Sequence, residues 1–380
     1  MIRLLILSYL SLLLLGLTDN MRGPLFPEIL KEFSLSDTMG SLYFSLSSLF
    51  GFLGGLASPW WSRRWGTVAA LRLAIILCGL SQLGFSFAPS FFWLIISVLF
   101  FGFSLGLMGV IQNTLVVTLS PFHLRNRLIS GLHSMYALAS LLAPLVVSQL
   151  SRVFAEHNIW RFSFKWGAGL AGLVLLASWG SFPVEERKPA RSERPDPRQG
   201  VLRQYYFAVI MASYVLAEIL MSSRLALYMR REYQTDLTTS SYYMAGFFVA
   251  LLSGRVFFAL WAPRIALKKQ LMLSLALSTL SQIAGLWIHP FWFVISGLFM
   301  APFYPLMMVE IGLVFHEVLH QAVANAVAFS SLFVVGMHVA VGSLADQFGI
   351  KVAFALGPLF CMISFGMLLF HEKIFHRLQS

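Results

Sequence analysis

The sequence predicts an all-α membrane protein with twelve transmembrane helices, arranged as two six-helix bundles related by a pseudo-two-fold repeat. Three observations predict this fold class. The chain is 58% hydrophobic and 11% charged, it contains long apolar runs, and its two halves resemble each other. Soluble domains are about 25% charged, so the composition excludes a soluble protein.

Apolar runs separated by short charged or Pro/Gly-marked breaks define the individual helices. In the first half, the predicted spans cover residues 3–30, 38–61, 67–87, 91–117, 128–150 and 163–183. In the second half, they cover residues 203–229, 238–261, 270–288, 291–314, 322–345 and 352–371. The runs are near the length of about 20 residues that a helix needs to cross the hydrocarbon core.

The spans divide the chain into an N-terminal bundle (1–183), a cytoplasmic basic linker (184–202) and a C-terminal bundle (203–380). The linker is rich in Arg, Lys and Pro and cannot bury itself, so we expect it to connect the bundles as a flexible segment.

Basic residues define the expected orientation, because Lys and Arg near span ends resist translocation. Most of them, Arg255 included, lie in the connections on the same side of the membrane as the linker. This side is therefore expected to be the cytoplasm, and both termini are expected to lie there. We expect a multi-pass protein of the cell (inner or plasma) membrane, whose apolar run at Leu4–Leu17 stays as a span because no small-residue cleavage site follows it. The formal net charge of +11 is then a topology signal and not a sign of nucleic acid binding.

An internal repeat relates the two halves. Shifting the chain by 200 residues aligns 32–82 with 232–282 without a gap, and Trp61 then coincides with Trp261. A shift of 199 matches 92–108 with 291–307. A duplicated six-helix unit is typical of proteins whose two halves alternate access to a solute site.

The segment GSLADQFGIK, residues 342–351, carries a G-x-x-x-D-x-x-G pattern with Gly342, Asp346 and Gly349 in register. In span number, linker position and this motif, the sequence resembles the major facilitator superfamily over nearly its whole length. The resemblance implies a monomeric transporter of a small molecule in the lipid bilayer. After the second span, where the family's best-known copy of the motif lies, PWWSRRWG has Arg63 in place of the expected acid, which argues against a gating lock there.

A local resemblance concerns the fucose and proton symporter branch of that family. It rests on the segments Gly16–Asp37 and Ser104–Pro121. The positions of that branch's coupling acids are Gly23 and Gly109 in this chain, so its coupling groups do not transfer. Asn113 matches an asparagine of the branch motif, which implies a contact with sugar hydroxyls.

Charged residues inside spans are costly in hydrocarbon and must face a cavity or a partner. Asp19 and Arg22 stand three residues apart, hence on one helix face, and predict either a structural ion pair or a proton-coupling site. Glu218 lies 199 residues after Asp19, close to the repeat offset, and Glu310 is a third candidate for proton coupling. Arg224 lies about 240° around the helix from Glu218, so pairing between them is not expected.

Further polar side chains inside the spans are candidate substrate contacts, or else bonds between helices. Besides Arg22 and Arg224, the candidates are Asn20, Gln112, Asn113, His133, Tyr136, Tyr304 and His338. The prolines Pro302 and Pro305 are expected to break the helix beside Tyr304. The Phe residues are expected to face lipid or the core without forming an aromatic box.

The favoured hypothesis is a secondary transporter of a small polar, sugar-like solute, coupled to protons. Alternatives are an efflux carrier for amphipathic compounds, suggested by the Phe-rich and Met-rich spans, and a non-transporting sensor or receptor. The sequence shows no nucleophile paired with a base, which would indicate an enzyme, and no phosphate-binding loop, which would indicate the use of ATP. No cofactor is expected, and His316, Glu317 and His320 are expected to be solvated instead of forming a metal site.

Overall fold

A computed structural model describes residues 2–121, 124–154, 158–179, 201–260, 265–315 and 318–379. Within these ranges the regular structure is helical throughout and contains no β-strand, which confirms the predicted all-α class. The predicted linker at 184–202 lies almost wholly outside the described residues, as do His316 and Glu317.

The helices follow the predicted spans closely. The first half contains α1 (Ile2–Asn20), α2 (Arg22–Glu32), α3 (Asp37–Trp65), α4 (Thr67–Phe87), α5 (Phe91–Leu119), α6 (Arg125–Val153) and α7 (Ile159–Ala177). The second half contains α8 (Val201–Glu232), α9 (Leu237–Leu260), α10 (Leu267–Trp287), α11 (Phe291–Met300), α12 (Phe303–Val314), α13 (Leu319–Phe348), α14 (Ile350–Phe354) and α15 (Leu356–Gln379).

Three pairs of consecutive helices act as single rods, namely α1 with α2, α11 with α12, and α14 with α15. The fifteen described helices therefore make twelve rods, in agreement with the predicted number of spans. Ten of the rods are long and apolar enough to cross a membrane by the criteria of length and hydropathy. The other two, α7 and α10, have 19 and 21 residues, near the length of about 20 residues that a span requires.

The described residues fall into two compact units. One comprises Met1–Ala190 with Asp236–Ala245, and the other comprises Arg191–Thr235 with Gly246–Ser380. The helices α1 to α7 therefore belong to the first unit, and α8 and α10 to α15 belong to the second.

The two units share one internal packing scheme. In the first unit, α1 packs on α6, α4 packs on α7, and α4 also packs on α5. The second unit repeats these contacts in the same chain order, with α8 on α13, α10 on α15, and α10 on α11. The sequence repeat is thus a repeat of packing.

A pair of aligned glycines allows a close helix approach in each unit. A Cβ atom at Gly54 on α3 would lie 2.2 Å from the carbonyl oxygen of Phe103 on α5. At Gly254 on α9, 200 residues later, a Cβ atom would lie 2.6 Å from the carbonyl oxygen of Leu298 on α11. Any larger residue would push these backbones apart, so the glycines are needed for the contact.

One end of the first unit is fastened by the carboxylate of Glu32, at the end of α2. Trp160 Nε1 donates to it over 2.7 Å and Asn158 Nδ2 over 2.6 Å. The Arg161 guanidinium completes the set with an Nη2 to Oε1 distance of 2.7 Å. Because Arg161 also donates to the carbonyl oxygen of Ala88, this network holds the ends of α2, α4 and α7 together.

Candidate functional site

The first candidate site is an ion pair at the junction of α1 and α2. Asp19 lies in the last turn of α1, Arg22 begins α2, and Met21 between them keeps helical backbone angles (φ −64°, ψ −26°). Arg22 Nη2 donates to Asp19 Oδ1, and Arg22 Nε donates to the Asp19 carbonyl oxygen over 3.3 Å. The spacing of three residues thus places both charges on one face, as the sequence predicts.

Three aromatic rings surround the Arg22 guanidinium. Its Cζ atom lies 4.9 Å from the ring centroid of Phe101, 5.2 Å from Phe44 and 5.4 Å from Tyr43. We call these three residues the Arg22 cage. Only 6% of Arg22 is exposed, and a desolvated cation over an aromatic face gains about 2 kcal/mol. The expectation that Phe residues form no aromatic box is therefore wrong at this position, because two of them help to hold a buried cation.

Tyr136 on α6 supplies the second hydrogen-bond donor to the Asp19 carboxylate. Its hydroxyl donates to Asp19 Oδ2 over 2.9 Å. The helices approach closely here, since a Cβ atom at Gly16 would lie 2.6 Å from the Cβ of Ala139. The Asp19 side chain is 23% exposed, against 8% for that of Arg22. Asp19 is therefore a carboxylate with two side-chain donors that is still reached by solvent.

Asn20 bonds within its own helix, whereas Gln112 bonds to another helix. Asn20 Nδ2 donates to the Gly16 carbonyl oxygen within its own helix over 2.9 Å. Gln112 is fully buried on α5, and its Nε2 donates to Ser11 Oγ on α1 over 3.0 Å. Gln112 Oε1 has no hydrogen-bond partner among the described residues. Gln112 therefore links α5 to α1 and keeps one acceptor unused.

Two other candidates of the first unit lie outside this cluster of bonds. Asn113 is half-buried on α5, and its Nδ2 donates to the Gly109 carbonyl oxygen over 2.7 Å. His133 is exposed on α6, one turn before Tyr136. Tyr136, on the same helix as His133, is the predicted candidate that bonds to Asp19.

The second unit places an ion pair at the equivalent position of its first helix. Glu218 on α8 lies 3.6 Å from Arg255 Nη2 on α9, measured from Oε1. The side chain of Glu218 is 23% exposed and that of Arg255 is 37% exposed. We expected Arg255 at a span end on the cytoplasmic side, but the structure places it inside α9 as the partner of Glu218.

The surroundings of Glu218 on α8 are aromatic and closely packed. Tyr214, one turn earlier, is fully buried and stacks on Phe303 with the ring centroids 4.4 Å apart. Its hydroxyl donates to the Met300 carbonyl oxygen over 2.8 Å, at the end of α11. Arg224, further along α8, is only 2% exposed.

The remaining candidates of this unit lie on α12 and α13. The rod of α11 and α12 is interrupted at Ala301–Pro302, next to Tyr304, as the proline positions predict. Tyr304 and Glu310 are half-buried on α12, while His338 on α13 is 2% exposed. Tyr304 is close enough to Glu218 and Arg255 to interact electrostatically with both charges.

The sequence profile of the Major Facilitator Superfamily matches residues 8–223, more than half of the 380 residues. The chain belongs to the major facilitator superfamily. No protein of curated function matches its sequence.

Solved structures of major facilitator superfamily transporters have the same fold. A bacterial homologue of the human lysosomal transporter Spinster is 15% identical, with a TM-score of 0.80 over 97% of this chain and 96% of that one. A D-xylose–proton symporter is 16% identical, with a TM-score of 0.74 over 97% and 96% of the two chains. The peptide transporter POT, as its E310Q mutant, is 14% identical, with a TM-score of 0.76 over 97% and 94%.

Membership of the major facilitator superfamily makes this chain an integral, multi-pass membrane protein and a transporter of small molecules, not an enzyme. The identities of 14 to 16% to these structures carry the fold alone.

The family motif of Gly342, Asp346 and Gly349 lies at the end of α13. Gly342 is buried within the helix and Asp346 is exposed in its last turn. Gly349 follows the helix with a positive φ of 86°, a conformation that residues with a Cβ atom rarely adopt. The second glycine of the motif is therefore required where the chain turns from α13 into α14.

Sequence reasoning missed two parts of these sites, namely Arg255 and the Arg22 cage. The repeat gives some signal for Tyr43, which aligns with Tyr243, but none for its position beside a cation. Both omissions concern contacts between different helices, which the spacing along one helix does not encode.

Proposed function

We propose that this chain is a secondary active transporter that moves a small polar, sugar-like solute together with protons by alternating access. The observation that carries the proposal is the carboxylate of Asp19, held by Arg22 and Tyr136 and still 23% exposed. A charged group inside a span is costly and in transporters marks an ion or proton pathway.

The surroundings of Asp19 support a change of its protonation state. When the carboxylate is ionised, the guanidinium of Arg22 neutralises it. When it takes up a proton, the buried cation keeps the faces of the Arg22 cage, which limits the cost of losing its counter-ion. Asp19 can therefore lose and regain a proton while the aromatic rings of the Arg22 cage continue to stabilise the Arg22 cation.

Glu218 is the second candidate for proton coupling in this proposal. It lies 199 residues after Asp19, close to the repeat offset, and also pairs with an arginine, Arg255. Glu310 remains a third candidate.

A polyol-like solute fits the uncharged polar groups of the first unit. The Tyr136 hydroxyl and the half-buried amide of Asn113 offer donors and acceptors of the kind that bind sugar hydroxyls. A D-xylose–proton symporter has the same fold, and the local resemblance of the Asn113 segment to fucose and proton symporters points to the same substrate class. Both termini are expected in the cytoplasm, and a monomer is expected to suffice.

The test is uptake by proteoliposomes that contain the purified full-length chain and a trapped pH-sensitive dye. Under an imposed pH gradient, a panel of pentoses, hexoses and deoxysugars is expected to contain at least one solute whose entry moves protons. Asp19→Asn is expected to abolish proton movement, and Glu218→Gln to reduce or abolish it. Glu232→Gln, which removes an exposed acid at the end of α8, is the matched control.

If both Asp19→Asn and Glu218→Gln keep gradient-driven uptake, the proposed coupling is wrong. If no sugar enters, the second candidate, efflux of amphipathic compounds, gains weight because the chain contains 35 Phe and 16 Met residues. Cells that overproduce the chain would then survive toxic amphipathic compounds better than cells that overproduce Asp19→Asn.

A further inference from the structure

The end of α3 carries an unusual group of large aromatic and basic side chains. We call residues Trp60 to Trp65 the Trp–Arg segment; its members are Trp60, Trp61, Ser62, Arg63, Arg64 and Trp65. The three indole rings touch one another. Their centroids lie 4.4 Å apart for Trp61 and Trp65, 5.3 Å for Trp60 and Trp61, and 6.4 Å for Trp60 and Trp65.

The backbone before the Trp–Arg segment is built to continue the helix through a proline. Pro59 lies inside α3 and has no N–H to donate to the carbonyl oxygen of Gly55, four residues earlier. Ser58 Oγ donates to that oxygen over 2.9 Å instead. The helix then ends at Gly66, whose positive φ of 86° stops it directly after Trp65. The segment is therefore an ordered helix end.

Most of the Trp–Arg segment is not used for packing within the protein. Trp60 is 55% exposed and Trp65 is 50% exposed, whereas the half-buried Trp61 contacts Phe103 on α5. Arg63 and Arg64 are both exposed. Across the described ranges, neither arginine has a hydrogen bond or an ion pair.

The electrostatic environment of the segment is positive. The acid of α3 is Asp37, in the first turn at the opposite end of a helix of 29 residues. The position at which the family pattern places an acid after the second span is occupied by Arg63. Two adjacent guanidinium groups that have no oppositely charged partner among the described residues attract an anionic ligand, whereas a second copy of the same segment would repel them.

We propose that the Trp–Arg segment binds the headgroup of an anionic phospholipid. Indole rings concentrate at the level of lipid headgroups, where their apolar faces contact acyl chains and their N–H groups remain hydrated. Guanidinium groups bind phosphate oxygens with paired hydrogen bonds. Trp60 and Trp65 line the acyl-chain side of the site, and Arg63 and Arg64 hold the phosphate. This site is independent of the proposed transport chemistry.

The expected selectivity follows from the two arginines. A basic residue near the membrane surface binds anionic lipid more tightly than zwitterionic lipid. For two such residues, the expected preference is about thirtyfold. The tryptophans contact the acyl region of any phospholipid, so they contribute to affinity without discriminating between headgroups.

Native mass spectrometry of the purified full-length chain, titrated with phosphatidylglycerol or phosphatidylcholine of identical acyl chains, tests the proposal. The wild type is expected to bind phosphatidylglycerol about thirtyfold more tightly at its strongest site. Arg63→Gln/Arg64→Gln is expected to lose most of this preference. Trp60→Leu/Trp65→Leu is expected to weaken the binding of both lipids and to keep their ratio.

The matched control is Arg230→Gln/Arg231→Gln, which removes two adjacent arginines at the end of α8 and changes the net charge equally. It is expected to keep the wild-type ratio at the strongest site. Equal affinity of the wild type for the two lipids would overturn the proposal. It would also be overturned if the control lost as much preference as Arg63→Gln/Arg64→Gln, because the effect would then reflect net charge alone. Size-exclusion profiles identical to wild type establish that each variant is folded.

Discussion

Replacing Tyr136 with Phe tests directly whether Asp19 carries the transported proton. The Tyr136 hydroxyl donates to Asp19 Oδ2 over 2.9 Å, so the substitution removes one hydrogen bond and little volume. A hydrogen bond to a charged group contributes about 1.5–3 kcal/mol, whereas one between neutral groups contributes about 0.5–1.5 kcal/mol. The ionised form of the acid therefore loses about 1 kcal/mol more than the protonated form.

The sign of the effect follows from which form loses more. Without the donor, the ionised carboxylate loses more stabilisation than the protonated acid does. The pH of half-maximal proton-driven uptake is therefore expected to be higher in Tyr136→Phe than in the wild type. Uptake by proteoliposomes over a series of external pH values measures this midpoint.

Tyr9→Phe is a close control for this experiment. The Tyr9 hydroxyl also joins α1 to α6, because it donates to the Leu128 carbonyl oxygen over 2.6 Å. It does not contact Asp19, so its removal should leave the midpoint unchanged even if stability falls. A midpoint in Tyr136→Phe that stays in place or moves to lower pH would contradict the reasoning, as would an equal shift in Tyr9→Phe.

Three further predictions concern stability, measured as thermal unfolding of the purified chain. Gly54→Ala should destabilise by about 1–3 kcal/mol because its Cβ would strike backbone, whereas Gly109→Ala on α5, with open space around it, should be neutral or stabilising. Glu32→Gln should cost about 1–3 kcal/mol, since it weakens the bonds of its three donors, and should leave the pH midpoint of uptake unchanged. Arg255→Gln should cost about 1 kcal/mol, because its partly exposed pair with the carboxylate on α8 is lost; an unchanged melting temperature would show that the pair is not formed.

The sequence predicted the helices well because each span is a local property of the chain. Apolar runs and the charged or Pro/Gly-marked breaks between them located all twelve rods, and the prolines beside Tyr304 marked the interruption between α11 and α12. The pair of Asp19 and Arg22 was predictable for the same reason, since a spacing of three residues fixes two side chains on one helix face.

Contacts between helices were not predictable in the same way. Arg255 was placed at a membrane surface because arginines near span ends usually lie there, yet its position inside α9 brings it to Glu218. Tyr136 was predicted as a substrate contact, and its bond to Asp19 depends on the close approach of α1 and α6 at Gly16. Helix periodicity gives the face of a residue but not the neighbouring helix that this face meets.

The two acids at equivalent positions of the repeat take their counter-charges from different places, and this makes the units mechanically unlike. Asp19 and Arg22 belong to one rod, so a proton on Asp19 breaks no ion pair between helices. It changes the hydrogen bond between this carboxylate and the Tyr136 hydroxyl on α6. Glu218 and Arg255 belong to different helices, so neutralising that carboxylate loosens α8 from α9. The same event, the arrival of a proton, would therefore act on α6 in one case and on α9 in the other.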